Sequence, residues 1–376
     1  MKREIAIVGG GVIGLICAWR LRQRDCSVAL FERGEVGREA SWAAAGMIAP
    51  LCEAARYPPM GSQGAGAAFF DLCLHSRALY PALAAELLDA TGIDIELSIQ
   101  GAPDTDWRRP GFRYYVTSAD DNAAAGFLKL QNRGYAVREH CADNTDGIAA
   151  RACFELPDEG QVENRILVRA LRQAAVASGV EIREDADVTA IRIDDGRATG
   201  LTVGDEHIEF DKVLVCAGAW SGTIAGLDVP IRPLRGQMLA LRGDDSLRQV
   251  VYSSDVYLVP RRDGRILVGA TMEETGFDKT TTQSARDELL KKAYRLLPRL
   301  AEFPVEAHWS GLRPVSPDHL PVLGPTSFEN VYIAAGHYRN GILLAPATGE
   351  LMMESILDDS PIPQMFGIER YTKSRA

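Results

Sequence analysis

Two kinds of apolar spacing alternate along the chain. The first is a short continuous run, Ile5 to Val8, which passes through Gly9-Gly10-Gly11-Val12-Ile13-Gly14 into a helical pattern from Leu15 to Arg24. A second run, Val28 to Phe31, ends at Glu32. Continuous apolar runs predict strands buried on both faces, and recurrence at three and four residues predicts amphipathic helices. Residues 53–68, rich in Ala, Gly and Pro, predict a mobile loop. Helical periodicity returns from Phe69 to Thr91, and 100–117 is expected to be a loop entering a strand.

The second half has the same grammar with one change. An amphipathic helix is predicted from Asn164, followed by a small meander over Val188–Ile193, Ala198–Val203 and His207–Phe210 that turns at Asp194-Asp195-Gly196. Val213 to Ala217 is another continuous run and predicts a buried parallel strand. Residues 230–275 alternate instead, as an antiparallel sheet requires. Ser284-Ala285-Arg286-Asp287 reads as a capping box opening a helix to about Leu297. The run Val331–Ala335 predicts a last buried strand, leading through Gly336–Gly341 into a helix from Ile342 to Leu357.

The expected fold class is therefore mixed α/β. A Rossmann-like βαβ nucleotide-binding domain is interleaved with an antiparallel-sheet substrate domain. The predicted division gives 1–60, 145–225 and 305–376 to the first domain, and 61–144 and 226–304 to the second. A simple nicotinamide dehydrogenase keeps its βαβ units contiguous, so the dispersal points to a flavoprotein.

Composition narrows the picture modestly. Lys and Arg total 41 against 51 acidic residues, which argues against a nucleic-acid partner. No apolar run reaches bilayer length, so no transmembrane segment is expected. The first strand begins within a few residues of Met1, leaving no room for a signal peptide. Seven scattered cysteines without a C-x-x-C read as reduced, buried thiols of a cytoplasmic protein. The six histidines lack ligand spacing, so no metal is expected.

The glycine run carries the first chemistry. Gly9 permits a tight turn, Gly11 lets backbone approach a pyrophosphate, and Gly14 lets helix and strand pack closely. The helix N-terminus, at Val12 and Ile13, offers N–H groups and partial positive charge to phosphates. Glu32 suits a ribose hydroxyl pair and disfavours a 2′-phosphate. An adenine dinucleotide is the predicted ligand. Elsewhere, Arg313 in Gly-Leu-Arg-Pro can grip a carboxylate with two parallel hydrogen bonds. Tyr257 could donate to the same carboxylate, or be an ordinary strand tyrosine. Met272 could line a pocket, or fill a core. The helix after Asn340 would stabilise negative charge at its N-terminus, with Arg339 adding positive charge.

With the fingerprint, Ala40–Met47, Gly160–Val162, Tyr257–Gly264, Gly269–Met272, Trp309–Pro314 and Gly336–Pro346 keep one order along nearly the whole chain. In these motifs the chain resembles the glycine oxidase branch of the D-amino-acid oxidase family. The resemblance implies FAD, bound across both domains, and oxidation of a C–N bond in a small amine or amino acid by hydride transfer to flavin N5. It implies a catalytic set of Arg313, Tyr257, Arg339 and Met272, with no side-chain base required of His337. The implied FAD contacts are the fingerprint with Glu32 and Arg33, the loop of Ser41, Ala44, Ala45, Gly46 and Met47, then Val188, Ala217, Gly218 and Trp220. Arg313, His337, Arg339, Asn340, Gly341, Ile342 and Leu343 complete them. Related sarcosine oxidases tether flavin to a cysteine; Arg313 to His319 contains none, so the FAD is expected to be non-covalent.

Three functions stay open on these grounds. One is an oxidase of glycine, sarcosine or small D-amino acids that uses oxygen and releases peroxide. Another is a dehydrogenase passing electrons to a quinone or carrier. The third, a non-catalytic dinucleotide-binding module, is disfavoured by the paired arginines and Tyr257. Residues 100–117, with Trp107, Arg108 and Arg109, depart from the family pattern and put glycine itself in question. The oligomeric state is open, a homo-oligomer included.

Overall fold

A computed structural model describes residues 4–56, 64–100, 110–140, 148, 150–243 and 247–372. Its centre is a six-stranded sheet. β1 (Glu4–Val8) pairs in parallel with β2 (Ser27–Phe31) on one side and with Lys212–Val215 on the other. Glu181–Arg183 extends the sheet beyond β2; Val331–Ala335 and then the antiparallel edge Val322–Pro325 extend it the other way. The central runs Ile5–Val8, Val28–Phe31, Val213–Val215 and Val331–Ala335 are apolar because both faces are covered, whereas the edge strand Glu181–Arg183 is charged and partly exposed. Helix α1 (Val12–Gln23) and helices Ala65–Thr91, Asn164–Ala177 and Gly341–Leu357 pack one face. The meander Val188–Asp194, Arg197–Val203 and Glu206–Glu209 lies on the other.

From β1 the chain moves to β2 on one side, then returns to Lys212–Val215 on the opposite side. Strand order therefore reverses at β1, and a crevice opens at the carboxyl ends of β1 and Lys212–Val215, where parallel sheets bind ligands. Gly9, at φ 107°, turns the chain there.

A second, eight-stranded sheet runs Val305–Val315, Arg232–Arg242, Arg265–Gly269, Tyr257–Pro260, Val250–Tyr252, Phe112–Val116, Ala152–Leu156 and Arg138–His140. It is antiparallel except where Val250–Tyr252 meets Phe112–Val116. Two segments expected with the nucleotide-binding half, Ala152–Leu156 and Val305–Val315, are strands of this sheet. Helix Ala65–Thr91, expected with the other half, packs beside α1 and Gly341–Leu357.

Three local expectations change. Helix α1 starts at Val12 rather than Leu15, directly after the glycine turn. Within the expected loop 53–68, residues 53–56 end a helix, Pro50–Arg56, and 65–68 begin the next; residues 57–63 lie outside the described set. Alanine's helix propensity, at Ala54, Ala55, Ala65, Ala67 and Ala68, outweighs the neighbouring glycines and prolines. The cap of helix Gln283–Leu296 is Thr282, whose hydroxyl accepts from the Ala285 amide, so the helix begins before the expected Ser284. Phe112–Val116 is the strand expected late in 100–117; residues 101–109, with Trp107, Arg108 and Arg109, lie outside the described set.

Candidate active site

The crevice widens into a cavity of about 780 Å³ running from the β1 turn to the face of the antiparallel sheet. That is ample for a large organic ligand, since such sites commonly hold roughly 300–1,000 Å³. At the β1 end, Gly10 N donates to Glu32 Oε2 at 2.8 Å and Gly34 N to Glu32 Oε1 at 3.3 Å. Burial raises the Glu32 carboxyl above its usual value, against these two amides. Val188, Ala186 and Asp187 line the cavity beside it. Arg33 lays its guanidinium 3.5 Å over the Trp220 ring, and Trp220 in turn stacks on Phe277.

The glycines play separable parts. A Cβ at Gly14 would sit 1.9 Å from the Gly9 carbonyl oxygen, and one at Gly9 2.5 Å from the Cys216 carbonyl. Both are therefore fixed by packing. A Cβ at Gly11 meets only Ser41 Oγ, at 3.2 Å, and this residue lines the cavity. Ser41 Oγ accepts from Val12 N at 2.9 Å and so caps α1 from another segment. This cradle, open at Gly11 and closed by a helix N-terminus, fits a dinucleotide's diphosphate.

The loop after Ser41 is pinned by a residue the sequence reading did not single out. Arg261 is buried, donates Nη2 to the Ala45 carbonyl at 2.7 Å and to Asn164 Oδ1 at 3.0 Å, and Nη1 to the Val162 carbonyl at 2.9 Å. Asn164 Nδ2 donates to the carbonyls of Ser41 and Trp42, and Trp309 Nε1 to that of Ala43. Met47–Ile48 then pairs with Gly160–Gln161. Residues Ala43–Met47 thus run along the cavity wall with little freedom to move.

At the far end, long strand register gathers the polar groups. Pairing of Arg232–Arg242 with Val305–Val315 sets Leu234 opposite Arg313 and Gly236 opposite Gly311. The Arg313 guanidinium lies flat on Gly236, where a Cβ would come within 2.1 Å of Nη1 and 2.4 Å of Cζ and Nη2. Nη1 is anchored on the Thr271 carbonyl at 3.0 Å. Tyr257 adjoins it. Burial raises the Tyr257 phenol, opposed by the charge of Arg313 and Arg339 and by a hydrogen bond with Arg313. The phenol therefore keeps its proton at neutral pH and can donate.

Tyr252 tilts against Tyr257 with ring centroids 5.5 Å apart. Its hydroxyl accepts from Arg339 Nη2 at 2.7 Å and from Arg56 Nη1 at 2.6 Å. Arg339 Nη2 also reaches the buried Glu53 carboxylate at 3.1 Å. His337 is 3% exposed, bonds Thr348 Oγ1 through Nε2 at 3.0 Å, and is pushed by burial down to about 3. Its ring is neutral.

Most residues expected in the site line this one cavity. Three do not. Gly14 packs against Gly9, Asn340 sits at the start of helix Gly341–Leu357, and Leu343 points into the helical core. Met272, expected as pocket lining or core, is 59% exposed and takes the Tyr338 hydroxyl on its sulfur at 3.4 Å, so it belongs to the rim. Glu53, Arg56, Tyr252 and Arg261 went unread because each owes its position to strand register or a helix in a segment read as loop. Only Arg261 lay within a quoted motif. Among the described residues no group of three or more potential ligands could hold a metal ion, and no helix is long and apolar enough to cross a membrane.

Comparison with known proteins bears on this geometry. A family model described as FAD dependent oxidoreductase (DAO) matches residues 4–355. The glycine oxidase of Pseudomonas putida is 35% identical over 372 residues, covering 96% of each chain. The solved glycine oxidase of Geobacillus kaustophilus superposes with a TM-score of 0.87 at 31% identity, over 98% of this chain and 99% of that one. An L-proline dehydrogenase structure from P. horikoshii reaches a TM-score of 0.82 over 99% and 98% of the chains. Its identity is 19%, so it shares the fold alone.

Proposed function

The chain belongs to the FAD-dependent oxidoreductase (DAO) family, and from that premise we propose that it oxidises glycine, sarcosine or a small D-amino acid, with oxygen as acceptor and hydrogen peroxide as product. FAD is its cofactor, and the coarser activity is oxidation of an amine or amino acid. The observation that carries the finer reading is Arg313: a guanidinium seated on Gly236, anchored on Thr271, with the Tyr257 phenol beside it, at the end of the cavity remote from Glu32.

In this reading Gly9, Gly11, Val12, Ile13, Ser41 and Glu32 hold the adenosine diphosphate half, and Ala44–Met47 lie along the flavin. The bound flavin supplies the hydride acceptor. Arg313 and Tyr257 hold the substrate carboxylate, which fixes the α-carbon before reaction. Arg339 adds positive charge near the helix N-terminus at Gly341, favouring negative charge that develops there. His337, neutral and tied to Thr348, leaves the amine to lose its own proton to solvent. The FAD is non-covalent, so acid denaturation should release all the colour.

The test is an anaerobic absorbance titration. Glycine, sarcosine or D-alanine should bleach the flavin, L-amino acids should not, and admission of air should restore the colour with one peroxide per turnover. Bleaching by L-amino acids alone would overturn the assumed orientation. Slow reoxidation in air, without peroxide, would assign the electrons to another acceptor.

A further inference from the structure

The carbonyl that anchors Arg313 belongs to Thr271, two residues past the end of strand Arg265–Gly269. The neighbouring strand Arg232–Arg242 holds it in place. Successive residues of a strand face opposite sides, so Arg235 and Gln237 point away from the Arg313 guanidinium that lies on Gly236. Arg235 is 4% exposed and does not line the cavity. Its Nη2 donates to Glu273 Oε2 at 2.7 Å. Its Nη1 donates to Asp278 Oδ2 at 2.7 Å and to the Thr280 carbonyl at 2.9 Å. One buried guanidinium therefore closes residues 273–280 into a loop against the strand. Backbone hydrogen bonds in both directions between Arg235 and Glu273, each 3.0 Å, fix the register.

Glu273 passes this constraint back to the anchor. Its carboxylate also accepts from Gln237 Nε2 at 2.9 Å and from the Thr271 hydroxyl. That hydroxyl takes the Gln237 amide at 2.8 Å, and the Thr271 amide donates to the Gln237 carbonyl at 3.2 Å. With amide and hydroxyl both tied, the Thr271 carbonyl is left aimed at Arg313 Nη1, which also approaches the Arg235 carbonyl at 3.5 Å. We propose that Arg235 is a positioning residue for the substrate grip: through Glu273 and Thr271 it sets where the Arg313 guanidinium lies. Both arms of Arg235 make charge-assisted bonds, roughly twice as strong as neutral ones, so the pin is a firm one. The inference rests on the reading of Arg313 as the carboxylate grip of an amine-oxidising cavity.

Two measurements on the FAD-loaded protein test this. Calorimetric binding of acetate needs no turnover. It should weaken about 5- to 30-fold in Arg235→Gln, between the loss of a neutral and of a charge-assisted hydrogen bond, and less in Glu273→Gln. Arg235→Lys should recover little, because one ammonium cannot replace a fork that reaches two carboxylates. Lys279→Ala, which breaks the segment's exposed contact with Glu39, should leave acetate affinity unchanged. The second measurement is a double-mutant cycle on kcat/KM, with whichever of glycine, sarcosine and D-alanine reduces the flavin fastest. Once Arg313→Ala has removed the guanidinium, Arg235→Gln or Glu273→Gln should change kcat/KM by less than about twofold. If Arg235→Gln does not fold, Glu273→Gln carries both measurements. Wild-type acetate affinity in these variants would overturn the proposal, as would an equal loss in Lys279→Ala. So would a fall in kcat/KM as large in the Arg313→Ala background as in the wild type, which a general loss of structure would give. Acetate binding weakened by Arg313→Ala alone refutes this inference only, whereas affinity unchanged in Arg313→Ala refutes the grip as well. Should none of the three amines reduce the flavin, the amine-oxidising reading fails, and the acetate comparison still decides the role of Arg235.

Discussion

The two ends of the cavity are built by different means. The end at β1 is made of backbone: a turn, a helix N-terminus, and glycines whose missing side chains leave room. Its glycines, Ser41 and Glu32 fall within residues 9–41, and backbone amides of that stretch donate to Glu32 and Ser41. The other end is made of side chains. Arg313, Tyr257, Tyr252, Arg339, Arg56 and Glu53 come from five separate elements, brought together by strand register and two helix ends. A backbone-built site binds what every member of a fold class binds. A side-chain-built site can change its ligand by a single substitution, with no change to the fold.

The largest expected effects lie in the backbone-built end, and they separate folding from binding. Gly14→Val puts a Cβ against a carbonyl that cannot retreat without moving β1. A clash of that kind costs more than about 4 kcal/mol, and the variant should fail to accumulate as folded protein. Gly11→Val meets only Ser41 Oγ and the cavity. It should keep the wild-type far-UV circular dichroism yet lose FAD affinity by about 5- to 150-fold, the scale of overpacking a tight contact by about 1–3 kcal/mol. A fully yellow Gly11→Val would remove the diphosphate from that place.

At the side-chain-built end the next largest effect is at Arg313. Arg313→Ala should lower kcat/KM for carboxylate substrates by about 30- to 4,000-fold, from loss of about 2–5 kcal/mol at a clamped charge. Arg313→Lys should recover only part, because an ammonium lacks the fork. The geometry adds a sharper test. Gly236→Ala places a methyl within 2.1 Å of Nη1 and should displace the guanidinium without touching Arg313 itself. If it lowers kcat/KM while FAD affinity stays put, the two ends are independent; if both fall together, they are not.

Legibility followed the same division. The βαβ start, its glycines and Glu32 were readable because turn, helix and strand are consecutive and each glycine answers a local steric demand. The antiparallel sheet was readable as alternation, and its Arg313 through a short motif. Arg56 was not, because Ala-rich helix ends interrupted by glycine and proline look like loop, and what makes Arg56 matter is Tyr252, 196 positions away. For Met272 the local motif left lining and core equally open; the chain leaves the sheet at Gly269, and the side chain lines the cavity at its exposed rim.

Tyr257→Phe should have a smaller effect. The ring stays packed over Gly269 and against Tyr252, and only the hydroxyl is lost. A hydrogen bond to a charged carboxylate is worth about 1.5–3 kcal/mol, so kcat/KM should fall about 10- to 150-fold, with FAD affinity unchanged. A loss as large as that of Arg313→Ala would mean that the phenol does more than hold the carboxylate.

The smallest effect expected on catalysis is at His337, which lines the cavity and is buried. Burial holds its folded-state pKa at about 3, against an ordinary 6.5, so its ring does not change charge between pH 5 and 8. The pH profile of kcat/KM should therefore contain no limb from this residue, and His337→Gln should leave the profile's shape unaltered. Stability is another matter. In the unfolded chain the ring takes up a proton as pH falls through 6.5, whereas in the folded protein it does so only near 3. The unfolded state binds more protons throughout that window, so this histidine makes stability decline as pH falls from about 6.5 toward 3. Thermal melts of the holoprotein across that range should show a steeper acid decline in the wild type than in His337→Gln. Parallel declines would mean that His337 is protonated in the folded state, and would return it to consideration as a titrating group beside the substrate.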